Sequence, residues 1–99
     1  MIQIVGTVRI PAGSIDAARP AMERMLTASR NEPGCLRYSY AIDVLDEGLV
    51  HVVEAWADRD ALAAHFQTPH MAEWRAEFAA LGISDRDLRL YETDEGEAI

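Results

Sequence analysis

Two imidazoles and an indole lie close together in Trp56-Ala-Asp-Arg-Asp-Ala-Leu-Ala-Ala-His65-Phe-Gln-Thr-Pro-His70. An imidazole titrates near neutrality, so it can take up a proton, return one or donate a hydrogen bond. An indole can stack on a planar ring while its N–H holds an oxygen. Leu62, His65 and Phe66 fall at i, i+3 and i+4 of a helical turn, so His65 points where a core residue would point. Such a histidine is either a satisfied core residue or a base shielded from water. Trp56 is either a core aromatic covering a sheet or the wall of a cavity. Glu54 shares its strand face with Trp56, and is either half-buried with a polar partner or exposed at the strand end. A buried carboxylate beside His65 would orient and charge that imidazole. His70 opens the next helix, where the dipole disfavours protonation, and it either reaches a pocket mouth or supports the helix start. Tyr38 and Tyr40 share one strand face, and either phenol could pack or hold a substrate oxygen.

Other chemistries find little support. His65 and His70 are five apart across a proline, not i, i+4 on one helix, and no cysteine or carboxylate has ligand spacing to them, so no metal is expected. Cys35 opens a strand after a turn, a place for a small buried hydrophobe more than for a nucleophile. No glycine-rich phosphate loop signals a nucleotide or flavin, so no cofactor is expected either.

The elements that position these residues follow from periodicity. Residues 2–10 alternate as a strand, with Ile2, Ile4, Val8 and Ile10 on one face and Gly6 leaving a gap where a backbone or ligand could approach. Ser14 can cap a helix reaching about Arg30, with Ala18, Met22, Met25, Leu26 and Ser29 as its inner stripe. Pro20 leaves two alternatives, a late start with proline in the first turn or a kink. Pro33-Gly34 ends that helix, and residues 36–43 and 49–56 read as two antiparallel strands joined at Asp46-Glu47-Gly48. Asp58 can cap a short helix over 58–66. Thr68 and Pro69 restart a helix with Met71, Trp74, Phe78 and Leu81 inward, ending before Gly82. Residues 88–92 form a last strand. The order predicts an α+β, ferredoxin-like split βαββαβ fold: a four-stranded antiparallel sheet with helices on one face, in a single domain over 1–92. Residues 93–99 make an acidic, flexible tail. A pocket is expected between helices and sheet, lined by Tyr40, Trp56, Leu62, His65, Phe66 and Trp74, with Glu54 and His70 as further substrate-binding candidates.

Ninety-nine residues suit one small domain with a modest core. Nine basic against seventeen acidic residues give a charge of -8, which repels phosphate backbones and anionic membranes, so neither nucleic acid nor membrane is an expected partner. The single cysteine and the absence of a signal-like start or long apolar run lead to the expectation of a soluble cytoplasmic protein. The second sheet face also carries apolar residues, which predicts a homodimer of the dimeric α/β-barrel type.

Taken with Glu32-Pro33-Gly34-Cys35-Leu36-Arg37-Tyr38, the Trp56 to His70 segment resembles the antibiotic biosynthesis monooxygenase family over about residues 2–92. The family includes quinol and anthrone oxygenases that work without a cofactor. The resemblance implies oxidation of a small aromatic hydroquinone, anthrone or related phenol by dioxygen, with His65 matching the histidine of the helix motif and Trp56 a tryptophan that lines the cavity of the anthrone-oxidising branch. Haem-degrading members carry an asparagine on strand one and a haem-ligating histidine on the later helix; Gly6-Thr7 and Trp74-Arg75 stand in those regions here, so haem is not expected. The rival expectation is a non-catalytic dimeric module that binds a small aromatic ligand.

Overall fold

The computed structural model describes residues 1–99. Its strands are β1 (Ile2–Arg9), β2 (Cys35–Ile42), β3 (Leu49–Trp56) and β4 (Ser84–Glu92), and its helices α1 (Ile15–Arg30), α2 (Arg59–Phe66) and α3 (Pro69–Leu81). All strand pairs are antiparallel, in the order β2-β3-β1-β4. This is the ferredoxin-like α+β arrangement expected from the element order.

Alternation along the strands decides which face is covered. Ile2, Ile4, Tyr38 and Trp56 pack with Ala21 and Met25 of α1, Leu62 of α2, and Met71 and Trp74 of α3, so all three helices lie on one side. Val8, Ile10, Val50 and Val52 close the other end of the same layer with Ile15. On the opposite face Val5 remains 40% and Tyr91 50% exposed. No helix is long and apolar enough to cross a membrane.

Four local expectations change. Helix α1 already runs from Ile15, preceded by a 3-10 turn over Ala12–Ser14, so Pro20 stands inside it and not in its first turn. Neither Ser14 nor Thr68 makes a side-chain capping bond, whereas Asp58 does. On β2 the register shifts between Cys35 and Arg37, which turns Leu36 outward to 59% exposure while Tyr38 stays buried. Strand β4 starts at Ser84, four residues before the expected 88, because pairing with β1 extends through Arg9↔Ser84 despite a charged, weakly β-forming sequence. Asp85 makes that extension possible by taking a left-handed backbone, φ 51°, beside the irregularity at Thr7/Arg9. Residues 93–99 form no helix or strand and are exposed throughout.

Candidate active site

Two pieces of local structure bring the polar centre together. The N-cap carboxylate of Asp58 accepts the Ala61 N–H at 2.8 Å, which fixes the start of α2 and sends His65 inward. Upstream, the Glu32 carbonyl accepts the Cys35 N–H at 3.1 Å across Pro33 and Gly34. With Gly34 at φ 81°, this is a type II turn with proline and glycine in their favoured places. Gly34 is needed for contact as well as for conformation: a Cβ there would lie 2.7 Å from the Ala61 Cβ. The turn therefore rests directly on α2, and Glu32 reaches the helix's inward histidine.

The Glu32 Oε2 sits 2.6 Å from His65 Nδ1 and 2.9 Å from His70 Nε2. An ionised carboxylate only accepts, so both imidazoles donate to the same oxygen. The Thr68 hydroxyl donates to the His65 carbonyl at 2.8 Å, and its oxygen stands 3.2 Å from His70 Nε2, where it can share that N–H. His65 is 1% exposed, and the Glu32 and His70 side chains 9% and 20%. Burial pushes the His65 pKa below the ordinary imidazole value, and the bond and charge of Glu32 oppose that shift. Donation from Nδ1 leaves the lone pair on His65 Nε2, which has no protein partner. Every fully enclosed side-chain nitrogen and oxygen in the chain does have one, so Nε2 is not sealed.

His65 lines a cavity of about 250 Å³. Val8, Phe66, Met71, Phe78, Ile83 and Leu88 make its apolar wall. Tyr38, Tyr40, Glu54, Trp74, Arg75 and Arg86 bring polar groups to it. Burial raises the pKa of both phenols, so they stand as neutral donors. Burial likewise raises Glu54, against the hydrogen bond from Trp56 and the nearby Arg86 charge. The volume is slightly below the roughly 300–1,000 Å³ of common ligand clefts and suits a small molecule.

Of the residues singled out in the sequence, Tyr40, Glu54, His65, Phe66 and Trp74 meet around this cavity; Trp56, Leu62 and His70 do not. Trp56 is fully buried at the inner end of β3, with its ring 4.6 Å from that of His65, and its N–H donates to Glu54 Oε1 at 3.0 Å. Its indole thus supports the site from below and has no free N–H for a substrate oxygen. Leu62 is a core residue at 5% exposure. His70 faces a separate shallow cleft beside Arg24, Glu73 and Glu77. The carboxylate that holds His65 is Glu32, not Glu54.

No carboxylate has ligand spacing to the two histidines along the sequence, and Glu54 was the one expected beside His65, yet Glu32 lies on both from 33 residues upstream of His65. The turn motif was the available signal, since Pro-Gly after Glu32 directs the chain back over α2. Arg86 was missed because its strand was expected to begin later. The three donor atoms of Glu32, His65 and His70 fall within 4.8 Å of one another. Tetrahedral zinc, with ligands about 2.0–2.1 Å out, keeps them roughly 3.3 Å apart; separations of 2.6 and 2.9 Å are those of hydrogen bonds, so the three close on each other.

Comparison with known proteins agrees with this architecture. A crystal structure from Deinococcus radiodurans, assigned as an antibiotic biosynthesis monooxygenase, superposes with a TM-score of 0.90 at 25% identity, covering 100% of this chain and 98% of that one. A second structure described as an antibiotic biosynthesis monooxygenase gives 0.79 at 27% identity over 98% of this chain and 100% of its own. An uncharacterised protein of Synechocystis is 26% identical over 98 residues, 99% of this chain and 67% of that one. The family profile named antibiotic biosynthesis monooxygenase matches residues 1–77. This chain, with its ferredoxin-like sheet, belongs to the antibiotic biosynthesis monooxygenase family.

Proposed function

We propose that the protein is a cofactor-independent monooxygenase that oxidises a small electron-rich aromatic, a hydroquinone, an anthrone or a related phenol, with dioxygen. Membership of the family supports a monooxygenase-like role. The observation that carries the finer reading is His65 on the cavity wall, with Nδ1 held by a carboxylate and no protein partner on Nε2. A base so placed takes the acidic proton of the substrate. The resulting anion is a reductant in its own right. It passes one electron to dioxygen, and the radical pair combines to a carbon-bound peroxide. Protonation and loss of water complete the change, so that the substrate loses two hydrogens and gains one oxygen while the second oxygen leaves as water.

The remaining residues serve that sequence. Tyr40 presents its hydroxyl to an anionic oxygen with Trp74 beside it, and the Arg86 guanidinium favours the anion through space. Phe66, Met71 and Phe78 limit water around the radical pair. His65→Ala should lower substrate-dependent oxygen uptake by about 10²–10⁴-fold with the fold retained, and His65→Gln, which keeps hydrogen bonding without basicity, should behave alike. Wild-type turnover in both variants between pH 6 and 9 would remove His65 from the mechanism. Tight binding of the aromatics with no oxygen uptake by the wild type would instead favour a binding module.

A further inference from the structure

The proposed reaction sets a proton problem that the cavity itself must solve. The proton taken from the substrate is needed again when the peroxide breaks down, because both substrate hydrogens end in the water that leaves. A buried imidazolium alone is a poor place to keep it, since desolvation drives the charge out. Around His65 the charged and titratable groups are Glu32 from the turn and His70 and Arg75 from α3, with Tyr38 and Tyr40 of β2, Glu54 of β3 and Arg86 of β4 on the same cavity. Arg75 and any protonated His70 oppose a second positive charge. Glu32 alone bonds the ring directly, at 2.6 Å with 9% side-chain exposure.

We propose that Glu32, fixed by the N–H of His70 on the same oxygen, is a positioning residue that makes His65 a reversible proton store: it holds Nδ1 protonated, aims Nε2 into the cavity, and neutralises the imidazolium until the proton is returned to the peroxide. Uptake at Nε2 takes the His65–Glu32 pair from one negative charge to none, so no isolated charge is buried. Return of the proton from Nε2 restores the starting tautomer without any exchange with solvent. His70 acts through Glu32. Its Nε2 bond at 2.9 Å, shared with the Thr68 hydroxyl oxygen at 3.2 Å, prevents the carboxylate from turning away toward the cleft lined by Arg24, Glu73 and Glu77.

The inference rests on His65 as the base, but its test does not need turnover. Nitrogen-15 NMR of the imidazoles in the wild-type protein reports tautomer and titration directly. Neutral His65 is expected with the proton on Nδ1; a population with it on Nε2 overturns the proposal. In Glu32→Gln the His65 pKa should fall by about one to three units, as expected for loss of an adjacent opposite charge, and an unchanged value overturns the proposal. His70→Gln, which still offers a donor to Glu32, should leave the His65 titration close to wild type, whereas His70→Ala should move it toward that of Glu32→Gln. Where an active substrate is in hand, Glu32→Gln should reduce kcat by about 10²-fold or more and leave KM nearly unchanged. The NMR signature without turnover in any assay would leave the proton store standing and count against the oxygenase reading alone.

Discussion

His65 can act as a base only while Nε2 is unprotonated, and burial is what keeps it so. With the pKa displaced downward, turnover should rise with pH along a limb whose midpoint lies below the ordinary imidazole value of about 6.5. A pH–rate profile with its midpoint well above neutrality would contradict this. The same shift has a sign for stability. Because the folded pKa is depressed, the unfolded chain binds the proton first as pH falls, so His65 withdraws stability below about pH 6.5 and has withdrawn its full share below the folded value. The neighbouring residues divide support from contact. Trp56 and Glu54 satisfy each other through an N–H to Oε1 bond of 3.0 Å, and the indole then serves as a floor for the imidazole.

At the scale of elements, the cavity depends on how closely β4 approaches β1. Gly6 pairs with Leu88, and a Cβ at Gly6 would run into the Asp87 carbonyl and stand 2.7 Å from the Leu88 Cα. Gly6→Ala should therefore push β4 aside, destabilise the fold by about 1–3 kcal/mol or more, and enlarge or open the cavity that Arg86 and Leu88 line. A thermal melt unchanged to within about 2 °C would show that the strands can absorb the methyl. The elements themselves were mostly legible, because strict alternation at Ile2, Ile4 and Val8, and helical spacing at Met71, Trp74 and Phe78, record a buried face in the residue types. The gap at Gly6 was legible as a place of close approach, although its occupant is backbone and not ligand. The first half of β4 was not legible, because Ser84-Asp85-Arg86-Asp87 has no strand pattern and is held by its partner. The same limit hid half of the site. Periodicity placed His65, Tyr40 and Trp74 inward, but which carboxylate meets an imidazole depends on a turn folding back over a distant helix, and no local pattern encodes that distance.

The whole molecule leaves one sheet face uncovered. Val5 and Tyr91 stand exposed there, next to partly buried Val53, in a chain small enough to gain from further burial. We propose a homodimer through this face: sedimentation at micromolar concentration should give twice the 11.0 kDa of the chain, and Val5→Lys should shift the molecule toward the monomer. A wild-type monomer under those conditions would contradict the proposal. On the proposed chemistry, a cavity made of this chain's own residues is enough to let an aromatic substrate react with dioxygen. An oxygen electrode, used with chelator-treated protein and a panel of hydroquinones and anthrones, tests it most directly. Uptake of one dioxygen per substrate oxidised, proportional to protein and unaffected by chelator, is expected. No uptake above substrate autoxidation across the panel, or uptake lost to chelator and restored by added metal, would contradict it.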